Sequence, residues 1–311
     1  MKTTLNNYRN NGKQLPRTMN RVVLPKKEKQ HLLFLFLCIP ISLLLIFGLF
    51  PIFQLVLLSF TNWNGLGWHY EWVGWDNYRN IMADPIYLHT LKTNLYYLVT
   101  GLLQMVFAYY FAVILSEQTI GKNFFKSLFI FPSLISSVAV AMMFKLFLSP
   151  EGAFDHLLTV LHLGQFKRFW LGDPDQVNWT LASISLWRHL GISFLLYYGA
   201  IQSIPKHYYD VCQLEGATLW QQTMNVTIPL TRKIIHLNTL LLTIGVVSVF
   251  EIPFIVTNGS NGSSTIVIKA MKLAFEQKKY GVASSLSVII TLLIVLISGI
   301  QRHIQHKGDA N

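Results

Sequence analysis

Six long apolar runs, separated by shorter polar segments, dominate the pattern of this chain. A helix needs about 20 predominantly apolar residues to cross the hydrocarbon core of a bilayer, and each run reaches about that length. The fourth run is the least uniform, because it contains Arg188 and His189. The pattern predicts an all-α integral membrane protein with six transmembrane helices, at residues 32–60, 94–115, 124–148, 180–201, 234–256 and 281–300.

A polar segment at residues 204–230 separates the fourth run from the fifth. A proline near its start favours a helix over 206–214, since proline has a helical φ and its missing N–H is not needed at that position. Gly216 can turn the chain with a positive φ at no steric cost. A second short helix is predicted over 217–226, ended by Pro229. The pattern predicts a helix–turn–helix suited to docking a partner; the alternative is an ordinary amphipathic loop.

Two charged residues lie inside the apolar runs, Arg188 in the fourth and Glu251 in the fifth. An unpaired charge in a membrane is costly and usually faces a partner or a water-filled cavity. One interpretation is that both residues flank a solute path. The alternative is a structural ion pair or a side chain that reaches the interface. Nearby rings could offer flat faces to a sugar, although packing is an equally simple role for each: Trp187, Tyr197, Tyr198 and Phe250.

Composition agrees with a membrane protein, since 52% of residues are hydrophobic, 13% are charged and the mean hydropathy is +0.41. The net charge of +11 could indicate nucleic acid binding. However, the basic residues sit at the edges of the apolar runs, which favours membrane orientation instead. The first run is longer than the apolar core of a signal peptide and lacks a cleavage site, so it is interpreted as an uncleaved span.

The lysines and arginines predict the orientation of the chain. With the N-terminus inside, the cytoplasmic segments carry 15 of them and the outer segments 7. Positive residues concentrate on the cytoplasmic side of membrane proteins. Both termini and the segment at 204–230 are therefore expected in the cytoplasm. The two cysteines, Cys38 and Cys212, are too few for a disulfide framework and are expected to be free thiols.

The sequence contains no motif that would let the chain catalyse a reaction by itself. It has no G-x-x-x-x-G-K-[ST] phosphate loop and no H-E-x-x-H zinc motif. Its ten histidines show no metal-ligand spacing. We therefore predict that the chain is not an enzyme and binds no cofactor or metal. Energy for any active transport would come from another protein.

The segment at 204–230 resembles the EAA loop of ABC-importer permeases. In the sugar-uptake branch this loop reads Glu-Ala-Ala, two residues, Asp-Gly-Ala and, further on, a proline. The corresponding positions here are Asp210, Val211, Cys212, Glu215, Gly216, Ala217 and Pro229. The glycine matches, each acidic residue is replaced by its homologue, and Ala-Ala has become Val-Cys.

Other patterns of the same branch occur in the same order along the chain. A hydrophobic-Gly-x-x-Asn-Tyr pattern precedes the second run, and a Tyr-Gly-x-Ala pattern opens the last. The loop after the fifth run is rich in glycine but lacks the family's proline. Together the resemblance covers about residues 32–300, through the segments 73–79, 186–191, 250–262, 274–275 and 280–287.

The resemblance implies the permease subunit of a bacterial ABC importer of the carbohydrate-uptake type. Its domains would be a basic cytoplasmic tail (1–31), a six-helix permease domain (32–300, with the coupling loop at 204–230) and a C-terminal tail (301–311). In such a protein the coupling-loop residues would meet the ATPase. The candidate solute path would be Trp187, Arg188, Tyr197 and Glu251.

The same resemblance implies the partners: a second homologous permease subunit, two cytoplasmic ATPase subunits that bind ATP and magnesium, and an extracytoplasmic solute-binding protein. The subunit would sit in the cytoplasmic membrane and contact lipid but no nucleic acid. An alternative is a secondary transporter or channel for a small polar solute. Such a protein should carry coupling carboxylates or repeat-related broken helices. A membrane enzyme is a third option. Neither the sugar nor its size follows from the sequence.

Overall fold

The computed structural model describes residues 26–67, 70–117 and 121–309, and helices dominate them. The predicted tail at 1–31 lies outside the described residues up to position 25. The all-α prediction is confirmed. The α-helices are α1 (Lys26–Leu44), α2 (Phe50–Leu58), α3 (Asp76–Ala83), α4 (Pro85–Ser116), α5 (Lys122–Leu134), α6 (Ser137–Phe147), α7 (Ala153–Val160), α8 (Pro174–Gln202), α9 (His207–Leu214), α10 (Leu219–Gln222), α11 (Ile228–Val247), α12 (Glu251–Thr257), α13 (Ile266–Met271) and α14 (Tyr280–Asp309).

The chain divides into two units, Met1–Gln54 and Leu55–Asn311. In the first unit, α1 continues into a π-helical turn, Leu45–Leu49. From residue 34 to the end of this turn the side chains are mainly apolar and almost all are exposed; Phe36 and Phe47 are each 75% exposed. A helix satisfies its own backbone hydrogen bonds, so an apolar helix of this kind is stable in lipid.

The second unit is built around α4 and α8, which pack along one another. Both helices begin with Asp-Pro: the Asp84 side chain accepts from the backbone N–H of Ile86, and Asp173 accepts from that of Asp175. The capping carboxylate satisfies a free N–H, and the proline after it has the φ a helix needs. At 32 and 29 residues the two helices are long enough to cross a bilayer.

Two of the predicted spans are broken helices. Within 124–148, α5 and α6 meet at 94° across Ile135 and Ser136, after a proline in the last turns of α5. Within 234–256, α11 ends at Val247 and α12 begins at Glu251. The second pieces of these two spans, α6 and α12, pack against each other. The hydropathy pattern did not reveal these breaks, because apolar residues predominate on both sides of each one.

By length and hydropathy, four stretches of the described chain can cross a membrane, and a fifth can if the bent α5–α6 pair counts as one. The stretches are Phe34–Leu58, Pro85–Ser116, Leu219–Thr257 and Tyr280–Gln305. The helix α8 is not among them, although it holds the predicted fourth span. It packs against α4, α5 and α11, and some of its polar side chains, such as Asn178 and Ser193, are buried there. Residues 301–309 of the predicted C-terminal tail continue α14.

A cluster of hydrogen bonds fixes the start of α14 to the chain that follows α2. Asn77 Nδ2 donates to the carbonyl oxygens of Ser59 (3.0 Å) and Thr61 (2.8 Å). Ser285 Oγ donates to the same Ser59 oxygen at 2.7 Å. Gly281 lies so close to Thr61 that a Cβ would overlap its carbonyl oxygen. The Gly-x-x-Asn-Tyr pattern that contains Asn77 and the Tyr-Gly-x-Ala pattern that contains Gly281 therefore meet at one contact.

Candidate functional site

The segment predicted to dock a partner, residues 204–230, is called the docking segment below. It forms a helix, a glycine turn and a second helix. The first helix, α9, ends at Leu214, and Gly216 follows with φ +73°. Thr218 then caps α10: its hydroxyl accepts from the N–H of Gln221, whose side chain accepts from the N–H of Thr218. This reciprocal capping box starts the second helix at Leu219 rather than at residue 217.

Pro229 does not end the second helix, so this part of the prediction was wrong. The π-helical turn Thr223–Thr227 joins α10 directly to α11. Pro229 lies in the first turn of α11, where a missing N–H is tolerated. The docking segment is therefore continuous with a membrane helix that extends to Val247.

The docking segment exposes apolar side chains that water would not favour. Leu214 is 88% exposed, Trp220 69% and Val211 53%. Asp210 and Glu215 are exposed beside them, whereas Cys212, a free thiol, is half-buried. The half-buried Ala217 and the exposed Pro229 complete the predicted set. An exposed apolar patch with a charged border is typical of a protein interaction site.

A cavity of about 270 Å³ lies where α4, α8 and α11 meet. Most of its wall is apolar, but each helix contributes at least one polar residue to it, among them Gln104, Ser193 and Asn238. Gln104 Nε2 donates to Ser193 Oγ (2.7 Å), and Ser193 Oγ donates to Asn238 Oδ1 (3.2 Å). The hydroxyl of Tyr97, also in the lining, is buried and has no partner in the described structure. A mostly apolar cavity with a few convergent polar groups is the usual form of a small-molecule site.

Comparison with known proteins identifies the family. Residues 104–307 match the family described as "Binding-protein-dependent transport system inner membrane component". The chain belongs to this family. The protein described as "Probable ABC transporter permease protein YurN" of Bacillus subtilis is 30% identical over 274 residues, covering 86% of this chain and 94% of the relative. This subunit is therefore a permease of an ABC transporter and a multi-pass component of the inner membrane.

Two further comparisons extend the likeness. The "Multiple sugar-binding transport system permease protein MsmF" of Streptococcus mutans is 25% identical, over 88% of this chain and 95% of that protein. A chain of a bacterial alginate ABC transporter, solved in complex with an alginate pentasaccharide-bound periplasmic protein, has a TM-score of 0.79 at 20% identity. The match covers 90% of this permease and 96% of the transporter chain, so the two share a fold.

The predicted solute-path residues do not line the cavity of this permease; their neighbours do. Ser185, Leu186 and His189 of α8 are in the lining. Trp187 instead packs edge-on to the ring of Phe144, with centroids 5.4 Å apart. The other two aromatic candidates named with it also contact protein: Tyr198 lies under the Lys126 ammonium, and Phe250 stacks on Phe254.

Arg188 is half-buried beside the cavity of the permease. Its Nη1 lies 3.2 Å from Nε2 of His189, and its Nε is buried with no partner in the described structure. Glu251 is exposed at the start of α12. Among the described residues, the salt bridge present joins Arg79 to Asp76 in another part of the chain. Arg188 forms no salt bridge with any described residue.

Tyr197 is only 1% exposed, and its hydroxyl accepts from Asn238 Nδ2 at 2.8 Å. It therefore supports the cavity wall from behind. The sequence analysis did not single out Gln104, Ser193 or Asn238. A signal existed for Gln104 and Asn238, since each is a strongly polar residue inside an otherwise apolar run. Nothing in the pattern showed that they meet, because they come from different helices.

Proposed function

We propose that this permease subunit imports a sugar, a mono- or oligosaccharide, as part of an ATP-driven transporter. Relatives whose names specify sugars, such as the multiple-sugar permease of Streptococcus mutans, support the substrate class. The amide and hydroxyl groups of Gln104, Ser193 and Asn238 suit the hydroxyl groups of a sugar, and the apolar wall suits its ring faces. Arg188 and Glu251 would flank this solute path. Arg188 contacts His189, which lines the cavity.

The observation that carries the proposal is the exposed apolar patch on the docking segment. Leu214 and Trp220 project into solvent from two helices held by a tight turn at Gly216. An ATPase subunit that covers them would gain apolar burial and would hold α11 through the continuous helix. Each of two ATPase subunits would bind ATP and magnesium, since the sequence of the permease has no phosphate loop.

The complete importer would contain a second homologous permease and an extracytoplasmic binding protein. We propose six spans in this subunit, with α8 as the fourth. Both termini and the docking segment would lie in the cytoplasm, in accordance with the distribution of lysine and arginine. This orientation leaves the patch at Leu214 accessible to a cytoplasmic ATPase.

Co-purification tests the proposal directly. The tagged permease, extracted from its native membrane, should retain a protein that binds and hydrolyses ATP, and the cells should take up sugar. Leu214→Asp should lose that ATPase, because a charge cannot replace an apolar contact. Leu66→Asp is the matched control, since Leu66 is 63% exposed but lies in the loop after α2. Sugar uptake that persists without a retained ATPase would favour a secondary transporter instead.

A further inference from the structure

A continuous chain of side-chain contacts connects the cavity to the docking segment. It begins at the three cavity residues Gln104, Ser193 and Asn238, which are each at most 6% exposed. From Asn238 Nδ2 it passes to the hydroxyl of Tyr197 at 2.8 Å. The ring of Tyr197 then meets that of Tyr109 edge-on, with centroids 5.1 Å apart. Up to this point the chain has joined α8, α11 and α4.

The second half of the chain enters the docking segment. Tyr109 Oη lies 2.9 Å from Thr231 Oγ1, and Thr231 Oγ1 donates to the carbonyl oxygen of Thr227 at 2.7 Å. Thr227 Oγ1 lies 3.2 Å from Tyr209 Oη, and Tyr209 belongs to α9. Thr227 ends the π-helical turn that continues α10 into α11. Thus α9 is hydrogen-bonded to Thr227, and α10 runs into the turn that ends at the same residue.

The direction of the central hydrogen bond follows from its surroundings. The single hydrogen of the Thr231 hydroxyl is used by the backbone oxygen of Thr227. Tyr109 must therefore donate and Thr231 accept. This bond links α4 to α11 near the docking segment, and Thr231 is only 2% exposed. Partly shielded from water, such a bond is stronger than one at the surface, and bonds in a network reinforce each other.

We propose that this chain of side chains transmits movement of the docking segment to the cavity wall, with the Tyr109–Thr231 hydrogen bond as its central link. The inference rests on the proposed function, because it requires an ATPase that moves the docking segment. Displacement of Thr227 and Tyr209 shifts the start of α11. The bond to Tyr109 then carries α4 with it, so the three helices that hold Gln104, Ser193 and Asn238 change position together.

Removing one hydroxyl tests the link. Tyr109→Phe removes only the bond between the helices, since Thr231 keeps its bond to Thr227. Thr231→Val removes the same bond from the other side, together with the bond from Thr231 to the Thr227 carbonyl oxygen, with little change of shape. In the complete importer reconstituted in liposomes, each variant should still hydrolyse ATP. The sugar moved per ATP should fall by about two- to tenfold, the range expected for one hydrogen bond.

Three controls separate transmission from simple damage. Tyr110→Phe removes a hydroxyl from a side chain that is 59% exposed and outside the chain, so the ratio should not change. Thr231→Ser keeps the acceptor and should behave as the unaltered protein. The double variant Tyr109→Phe/Thr231→Val should be no worse than Thr231→Val alone, because Thr231→Val already removes the bond that Tyr109→Phe removes.

The inference fails if Tyr109→Phe and Thr231→Val keep the normal ratio of transport to hydrolysis. It also fails if their losses add in the double variant, or if Tyr110→Phe lowers the ratio equally. An unaltered permease that retains no ATPase would instead refute the proposed function, and the inference with it. The two failures are thus distinguished by the unaltered protein alone.

Discussion

Gly281→Ala should release the contact that fixes the start of α14. A Cβ at this position would overlap the carbonyl oxygen of Thr61 and stand 3.0 Å from its carbonyl carbon and 3.4 Å from Asn77 Nδ2. The obstacle is backbone, which cannot rotate away as a flexible side chain could. The start of α14 must therefore retreat from the chain that follows α2.

The retreat affects several hydrogen bonds at once. Gly281 N donates to the carbonyl oxygen of Trp63 at 3.0 Å, and Ser285 Oγ donates to that of Ser59 at 2.7 Å. Overpacking costs about 1–3 kcal/mol, and two weakened hydrogen bonds cost about 1 kcal/mol each. The total loss of stability is about 3–5 kcal/mol. At about 2–4 °C per kcal/mol, the apparent Tm should fall by about 6–20 °C.

Heating the detergent-purified subunit and measuring the remaining monodisperse fraction by size-exclusion chromatography gives this apparent Tm. Gly299→Ala is a matched control, since Gly299 lies in the same helix and a Cβ there would meet nothing within 4 Å. It should be neutral or stabilising by about 0.5–1 kcal/mol, because alanine favours a helix more than glycine does. Equal apparent Tm values for Gly281→Ala and Gly299→Ala would refute the reasoning.

Three further predictions concern the docking segment, the cavity and the orientation. Gly216→Val should weaken ATPase attachment in a pull-down while the subunit still inserts, because a side chain with positive φ costs about 1–2 kcal/mol; Glu215→Ala should be milder, and normal attachment with normal uptake would make the loop a passive connector. Arg188→Ala should lower sugar uptake while the importer still assembles, and loss of assembly would indicate a structural role. Reporter fusions within 221–222 should be cytoplasmic and one near Gly65 external; an external signal at 221–222 would remove the ATPase-docking argument.

The sequence by itself determined the class of the protein. Long apolar runs predict helices in lipid because no other local structure satisfies the backbone there. The helix–turn–helix was predictable because its signal is local. A turn with a left-handed residue strongly favours glycine, which has no Cβ, and Gly216 lies at the turn. The family likeness was readable for the same reason, since each of its patterns is a short segment. The N-terminal tail lies mostly outside the described residues, and its prediction stays untested.

Only the tertiary structure decided where the helices break and which side chains meet. Apolar residues predominate on both sides of Ile135 and Ser136, so hydropathy could not reveal the 94° bend. Pro229 was expected to end a helix, but the π-helical turn before it places it in the first turn of α11. Gln104 and Asn238 are far apart in the chain. Their convergence with Ser193 depends on the packing of α4, α8 and α11, and a one-dimensional pattern of apolar positions holds no information about such packing.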